Sequence, residues 1–350
     1  GGSTWNREAV ARIEAFAAAN KLPVGCAFRR QSLFDNAHEC YAGDVGIGIN
    51  PKLAQRIRES DLIVAIGARL GEVTTGGYTL FDIPVPKQKL IHIYPDPEEL
   101  GRVYRPSLAI AAASRDFAGV LVPQPMNAAP RWAARTEEMH ADYLAWRAPV
   151  KSPGAVQMSE IVAWLDAHVP ADTIFANGAG NFATWVHRFH CYRGFGTQLA
   201  PTSGSMGYGL PASVAAALRH PDRTILCFTG DGDFLMTGQE FATAVAHKLK
   251  LVAILLNNNS YGTIRMHQEM HYPGRVSGTD LANPDFAALA RAYGGHGEVV
   301  ERTEEFADAF ARALASGKPA LIEIRFDLEA ITPARSLSTL RQQAMAGTMR

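Results

Sequence analysis

Residues 229–262 read TGDGDFLMTGQEFATAVAHKLKLVAILLNNNSYG, and this stretch decides the fold. "RTILCFTG" is a continuous apolar run ending at Gly230-Asp231-Gly232, and "KLVAILLNNN" is a second, ending at Asn257-Asn258. Runs apolar on both faces belong to strands buried inside parallel sheets. Between them, "GQEFATAVAHKL" has helical spacing, with Phe241, Val245 and Leu249 on one face. A strand–helix–strand unit of this length makes parallel neighbours with a right-handed crossover. Both strands then end at one sheet edge. Asp231 and Asn258, 27 positions apart, emerge at the carboxyl edge, where ligands bind in such folds.

The residue types at that edge suit one chemistry. Asp231 offers a charged oxygen and Asn258 a neutral one. Mg²⁺ takes about six oxygens and usually accepts one or two carboxylates plus phosphates. Glycines on both sides of Asp231 let the backbone approach a diphosphate and present N–H groups to it. A GDG or an NN alone is an ordinary turn. GDG, then 24 residues, then NN, each after a buried strand, points to a metal-held diphosphate.

The same alternation of elements extends outward. Residues 1–124 carry helical patterns at "REAVARIEAFAAA" and "KLAQRIRES", then short apolar runs at Leu62 to Ile66 and in "KLIHIYPD". The run at Leu62 to Ile66 reads as a strand buried on both sides. The proline-rich "PQPMNAAP" at 123–130 reads as a linker, with 125–152 as linker plus connecting helix. Residues 153–330 form a second alternating series, and 331–350 a tail. The fold class is α/β, two doubly wound parallel-sheet domains. Residues 1–20 open on a Gly-Gly-Ser turn that normally follows a strand, so the chain is expected to begin within a fold, without its first strand.

Composition narrows the function. Lys plus Arg equals Asp plus Glu at 34 each, which leaves no electrostatic footprint for nucleic acid or an anionic membrane. No apolar run approaches the ~18 residues that a membrane span needs. Cys26, Cys40, Cys191 and Cys227 lie far apart and read as reduced thiols of a cytoplasmic protein. His267 and His271 in "HQEMH" share helical spacing, but Glu269 is misplaced for a metalloprotease motif. Gly204, Gly207 and Gly209 have the wrong order for a dinucleotide fingerprint.

GDG followed at this interval by NN resembles the motif of thiamine-diphosphate (ThDP) enzymes. "SGSMGYGLPASVAAAL" (203–218) and "FANGAGNFATW" (175–185) are similar to segments of the acetolactate synthase and benzoylformate decarboxylase relatives. The resemblance implies that Asp231, the Asn258 side chain and the Ser260 carbonyl hold Mg²⁺. It implies diphosphate contacts at Gly178, Ala179, Gly180, Gly230, Gly232 and Asp233. Met206 aligns with the apolar residue that wedges between the cofactor rings, and the Gly204 carbonyl and Met206 N–H with the groups that bind the aminopyrimidine edge. Both count as catalytic, because they hold the cofactor pre-organised. Asp233 stands where relatives often carry Ser. Its carboxylate must point away from the diphosphate, be protonated or meet a cation. His267 stands where acetolactate synthases usually carry Trp.

The implied activity is decarboxylation or carboligation of a 2-oxo acid or aldehyde, in a homodimer or homotetramer. "IGARLG" and the strand ending at Asp96 could cradle an ADP-like group. Acetolactate synthases hold FAD there, related enzymes hold nothing, and strand ends and helix caps explain the same residues. The family's catalytic Glu belongs to a pyrimidine-binding domain that these 350 residues are not expected to contain, so the chain alone is expected to be inactive. A non-catalytic, ThDP-binding or regulatory homologue is the alternative.

Overall fold

The computed structural model describes residues 1–122 and 128–347. Of the linker expected at 123–130, residues 123–127 lie outside the described residues. The chain is α/β throughout and divides into two units, 1–147 with 191–198, and 148–190 with 199–350.

The first unit carries two parallel sheets. One pairs β1 (Val24–Ala27) with β2 (Tyr41–Val45). The other runs β3 (Leu62–Ile66), β4 (Lys89–Tyr94), β5 (Leu108–Ala111). Helix starts follow local chemistry. Asn6 caps Arg7–Asn20, its Oδ1 accepting from Ala9 N at 2.8 Å. Asn50 caps Pro51–Glu59 with Pro51 at the first position. Asp96 caps the turn at Pro97–Glu99, accepting from Glu98 N at 3.0 Å. The helix expected as a connector, Ala133–Trp146, packs Met139 and Tyr143 into this unit's cores. One expectation is corrected. β3 is not buried on both sides, since Leu62 and Val64 are 45% and 47% exposed. With Leu108 they lie on one face of the three-stranded sheet, of which only the Ile66–Ile93 end is packed against the helices Arg7–Asn20 and Ser114–Val120.

The second unit is built on a six-stranded sheet. Its strands are β6 (Ile174–Asn177), β7 (Gln198–Leu199), β8 (Ile225–Gly230), β9 (Val252–Asn257), β10 (His296–Val300) and β11 (Ala320–Arg325). The spatial order is β10-β11-β9-β8-β6-β7. β8 and β9 are buried at every position, which their unbroken apolar runs require. On one face Cys227, Ala253 and Leu255 pack against Leu210, Val214, Phe241 and Phe286. On the other, Phe228 stacks on Phe175, and Trp164 meets Phe306 and Phe310 edge-on. Three cysteines are buried, Cys191 is partly so, and none is in a disulfide. No described helix is long and apolar enough to cross a membrane.

Two elements differ from expectation. GDG is not a loop. Gly230 is the N-cap of a helix at Asp231–Thr237, and the next helix is separate, at Glu240–Ala246. Two acidic residues in the first turn favour that start, since they face the helix's positive end. The tail expected at 331–350 carries a helix, Leu337–Met345, capped by Ser336. Its Leu337 and Leu340 pack with Ile331, Met266 and Met270. Arg341 meets the buried Glu269 through two bonds, of 2.7 and 2.8 Å. Arg265 Nε and Gly274 N also donate to that carboxylate, at 3.1 and 2.8 Å.

Candidate active site

Strand order places the site. From β6 the chain leaves toward β7 at one edge, then returns to build β8 and β9 on the other side. The loops after β6 and β8 therefore diverge, and a crevice opens at their carboxyl ends. It is lined by Ala179, Gly180, Asn181 and Phe182 after β6, by residues 230–233 after β8, and by Asn258 and 260–264 after β9. Met206 enters from the loop before the helix Gly209–Arg219, and Ala330 and Ile331 from beyond β11.

Asp231 is 3% exposed. Its Oδ2 accepts from Asn283 Nδ2 at 2.8 Å and Ser260 N at 3.3 Å, and its Oδ1 from Gly232 N at 2.9 Å. Burial pushes its carboxyl above the usual range, and the hydrogen bonds only partly oppose this. These donors are neutral. A desolvated carboxylate of this kind gains most from a cation. Asn258 Oδ1 also accepts from Ser260 N, at 3.1 Å, so the side-chain oxygens of Asp231 and Asn258 both face that amide, and all three residues line the crevice. Oxygen donors are the kind a hard divalent ion takes. Among the described residues no group of three His, Cys, Asp or Glu could hold a metal ion. A site with one carboxylate and amide or carbonyl oxygens lies outside that pattern.

The glycines here are spatial necessities. A Cβ on Gly232 would come within 2.6 Å of the Tyr261 ring, and one on Gly230 within 2.8 Å of the Phe182 ring. Gly180 is closed off by the same Phe182. The crevice thus brings together Ala179, Gly180, Met206, Gly230, Asp231, Gly232, Asp233, Asn258 and Ser260. Gly178 and Gly204 are not in its lining. Gly178 lies behind the Asp233 carboxylate, and Gly204 is exposed in the loop before Met206, at φ +76. The Asp233 carboxyl turns into backbone amides, accepting from Ala179 N and Gly207 N.

Sequence reasoning missed several participants. Asn283 ties Asp231 to Asn257, donating to Asn257 Oδ1 at 2.8 Å. Asn257 in turn donates to the fully buried Glu323 at 2.7 Å. Thr263 and Asn181 exchange two bonds, of 2.9 and 3.0 Å, across the crevice mouth. Phe182, Trp185, Ile264, Phe326 and Ile331 supply apolar walls.

A doubly wound sheet with a buried carboxylate and a glycine cradle at its switch point defines a diphosphate-binding unit. The chain belongs to the thiamine pyrophosphate enzyme family. Residues 1–121 match its central domain and residues 178–324 its C-terminal TPP binding domain. Among curated relatives, acetolactate synthase isozyme 2 large subunit of Escherichia coli (strain K12) is 29% identical over 337 residues, 95% of this chain and 60% of that protein. The acetolactate synthase large subunit of Corynebacterium glutamicum is 29% identical over 328 residues, 89% of this chain and 51% of its own length. The probable acetolactate synthase large subunit of Methanocaldococcus jannaschii is 27% identical over 337 residues, with 92% and 56% covered. The chain therefore spans between about half and three-fifths of the relatives it matches.

Proposed function

We propose that the crevice binds ThDP through Mg²⁺, and that the complete enzyme decarboxylates or ligates a 2-oxo acid. The observation that carries this reading is the buried Asp231 carboxylate, which shares the crevice with Asn258, Ser260 and Met206. Asp231, the Asn258 side chain and the Ser260 carbonyl would hold Mg²⁺. Backbone at Gly180, Gly230, Gly232 and Asp233 would contact the diphosphate. The Ala179 N–H is already given to Asp233, so it leaves that set. Met206 would support the rings, and Gly204 would face the aminopyrimidine edge.

Bound ThDP supplies a carbon nucleophile for the 2-oxo carbon and accepts the electron pair left when CO₂ departs. The chain's own part is binding, orientation and exclusion of water. Asp231 anchors the charged end. Phe182, packed against Gly180 and Gly230, would back the diphosphate, and the buried Ile331 adds an apolar wall. The proposal includes a pyrimidine-binding domain carrying the family's Glu, a homo-oligomer and a cytoplasmic location. It gives no role to FAD. The 350 residues alone are then expected to grip ThDP without turnover.

Calorimetry with ThDP, in Mg²⁺ and then in EDTA, tests the binding. Affinity that survives EDTA unchanged would overturn it. CO₂ release from a panel of 2-oxo acids, with and without an added pyrimidine domain, tests the activity.

Two substitutions probe the parts. Met206→Ala is expected to lower kcat of the complete enzyme by about 10- to 100-fold, through misplaced rings, with ThDP affinity changed by less than about threefold. Equal losses in both would make Met206 a simple binding contact. Asn283→Ala is expected to weaken Mg²⁺-dependent ThDP binding by roughly tenfold, the worth of about one hydrogen bond to a charged group. Calorimetry reads this too, and unchanged affinity would remove Asn283 from the site.

A further inference from the structure

We infer that Asp233 is a positioning residue that locks the Met206 segment and the diphosphate loop onto the helix that starts at Asp231. The inference rests on the ThDP reading for its purpose, but the lock itself stands on geometry. Asp233 is 3% exposed. Its Oδ1 accepts from Ala179 N at 3.0 Å and Gly207 N at 2.9 Å, and its Oδ2 from Thr229 Oγ1 at 2.7 Å. One carboxylate thus joins three separate stretches of chain: the loop after β6, the segment after Met206, and the end of β8. Loop N–H groups at a sheet edge have no ladder partner, and a carboxylate can serve several of them at once.

The surroundings are shaped around that carboxylate. A Cβ on Gly178 would lie 2.1 Å from both of its oxygens. Gly178 is outside the left-handed region, so glycine is needed there for space and not for backbone freedom. Gly207 is held at both its polar groups by one helix. Asp233 takes its N–H, and Thr237 Oγ1 donates to its carbonyl at 2.8 Å. Positions 233 and 237 lie on one face of Asp231–Thr237, one turn apart. A Cβ on Gly207 would come within 2.9 Å of Met236 Cβ, so the segment is seated directly on that helix. The helix whose first residue is Asp231 therefore also sets where Met206 stands. The metal end and the ring end of the crevice are indexed to a single rigid element. A serine at 233 is too short to serve both amides.

The test is amide hydrogen exchange of the full chain by NMR without cofactor, alongside ThDP calorimetry in Mg²⁺. Asp233→Ala is expected to speed exchange at Ala179 and Gly207 by roughly 10- to 100-fold, as loss of their buried acceptor implies, and to weaken ThDP binding by about tenfold. Asp233→Asn keeps one acceptor oxygen for the two amides and is expected to stay within about threefold on both measures. Gly178→Ala should reproduce the fast exchange, and Gly178→Ala with Asp233→Ala should be no worse than Asp233→Ala alone, because the two act on one contact. If Asp233→Ala does not fold, Thr237→Val decides: faster exchange at Gly207 with Ala179 unchanged, and weaker ThDP binding. Wild-type protection at both amides in Asp233→Ala, simple additivity of the double variant, or normal Gly207 exchange in Thr237→Val would each overturn the lock. A wild-type chain that binds no ThDP refutes the cofactor reading, while the exchange data still judge the lock.

Discussion

Asp231→Ala is expected to abolish Mg²⁺-dependent ThDP binding, with affinity falling by at least about a thousandfold, on the order of 4 kcal/mol. Asp231 is the sole charged oxygen donor proposed for the metal, and Asn258 and Ser260 bring only neutral oxygens. Removing a buried partner of a charge is among the most costly single changes. The apo protein should respond differently. Burial raises the Asp231 carboxyl above its usual range, so the folded apo chain bears a desolvation cost that Ala removes. The loss of acceptors for Gly232, Ser260 and Asn283 offsets this gain. Apo stability is therefore expected to change by less than about 1 kcal/mol. Calorimetry and urea unfolding read the two halves. Retained cofactor affinity would sink the metal assignment, and a large apo destabilisation would mark Asp231 as structural.

Glu269→Gln should give the largest stability loss among the substitutions considered. The Arg341 guanidinium, with Gly274 N and Arg265, holds the Glu269 carboxyl down to about 2 despite its burial. A carboxylate depressed in the folded state contributes stability that is complete above its unfolded pKa, near 4.5, and is lost as pH falls through about 2. The contribution at neutral pH is on the order of 3 kcal/mol. Urea unfolding from pH 7 down to pH 2 checks both points. The variant should start about 3 kcal/mol lower and converge on wild type at the acid end. A constant offset across that range would mean that the ion pair contributes nothing specific.

Much of this was legible in the residues, for reasons that also explain what was not. β8 and β9 announce themselves because a strand covered on both faces must be apolar at every position. The GDG interval follows, since parallel neighbours share an edge. The same rule failed at Leu62 and Val64, because an apolar run does not reveal whether a helix covers it. GDG reads as a loop because glycine has low helix propensity, yet here tight packing against Tyr261 and Phe182 demands glycine inside and beside a helix. Asn283 had no local signal. The bridge between Ser260 and Asp280 holds its segment beside the strand end that Asp231 also faces, a pairing that no short window contains. At Asp233 the residue type raised the right question, but only geometry shows its carboxyl turned to the amides of Ala179 and Gly207.

The first unit's split along the chain bears on its synthesis. Tyr192, fully buried, exchanges two bonds with Asn36, and Gln198 donates to Gln31. Residues 1–147 therefore leave the ribosome without the strip that completes their packing. They must wait for residue 198, 51 residues later by subtraction, or roughly 3 to 10 seconds at ordinary elongation rates. Throughout that interval Asn36 has neither of its Tyr192 partners, and the nascent unit is at its most vulnerable to proteases and to holdase chaperones. A gene cut at residue 147 would make that transient state permanent.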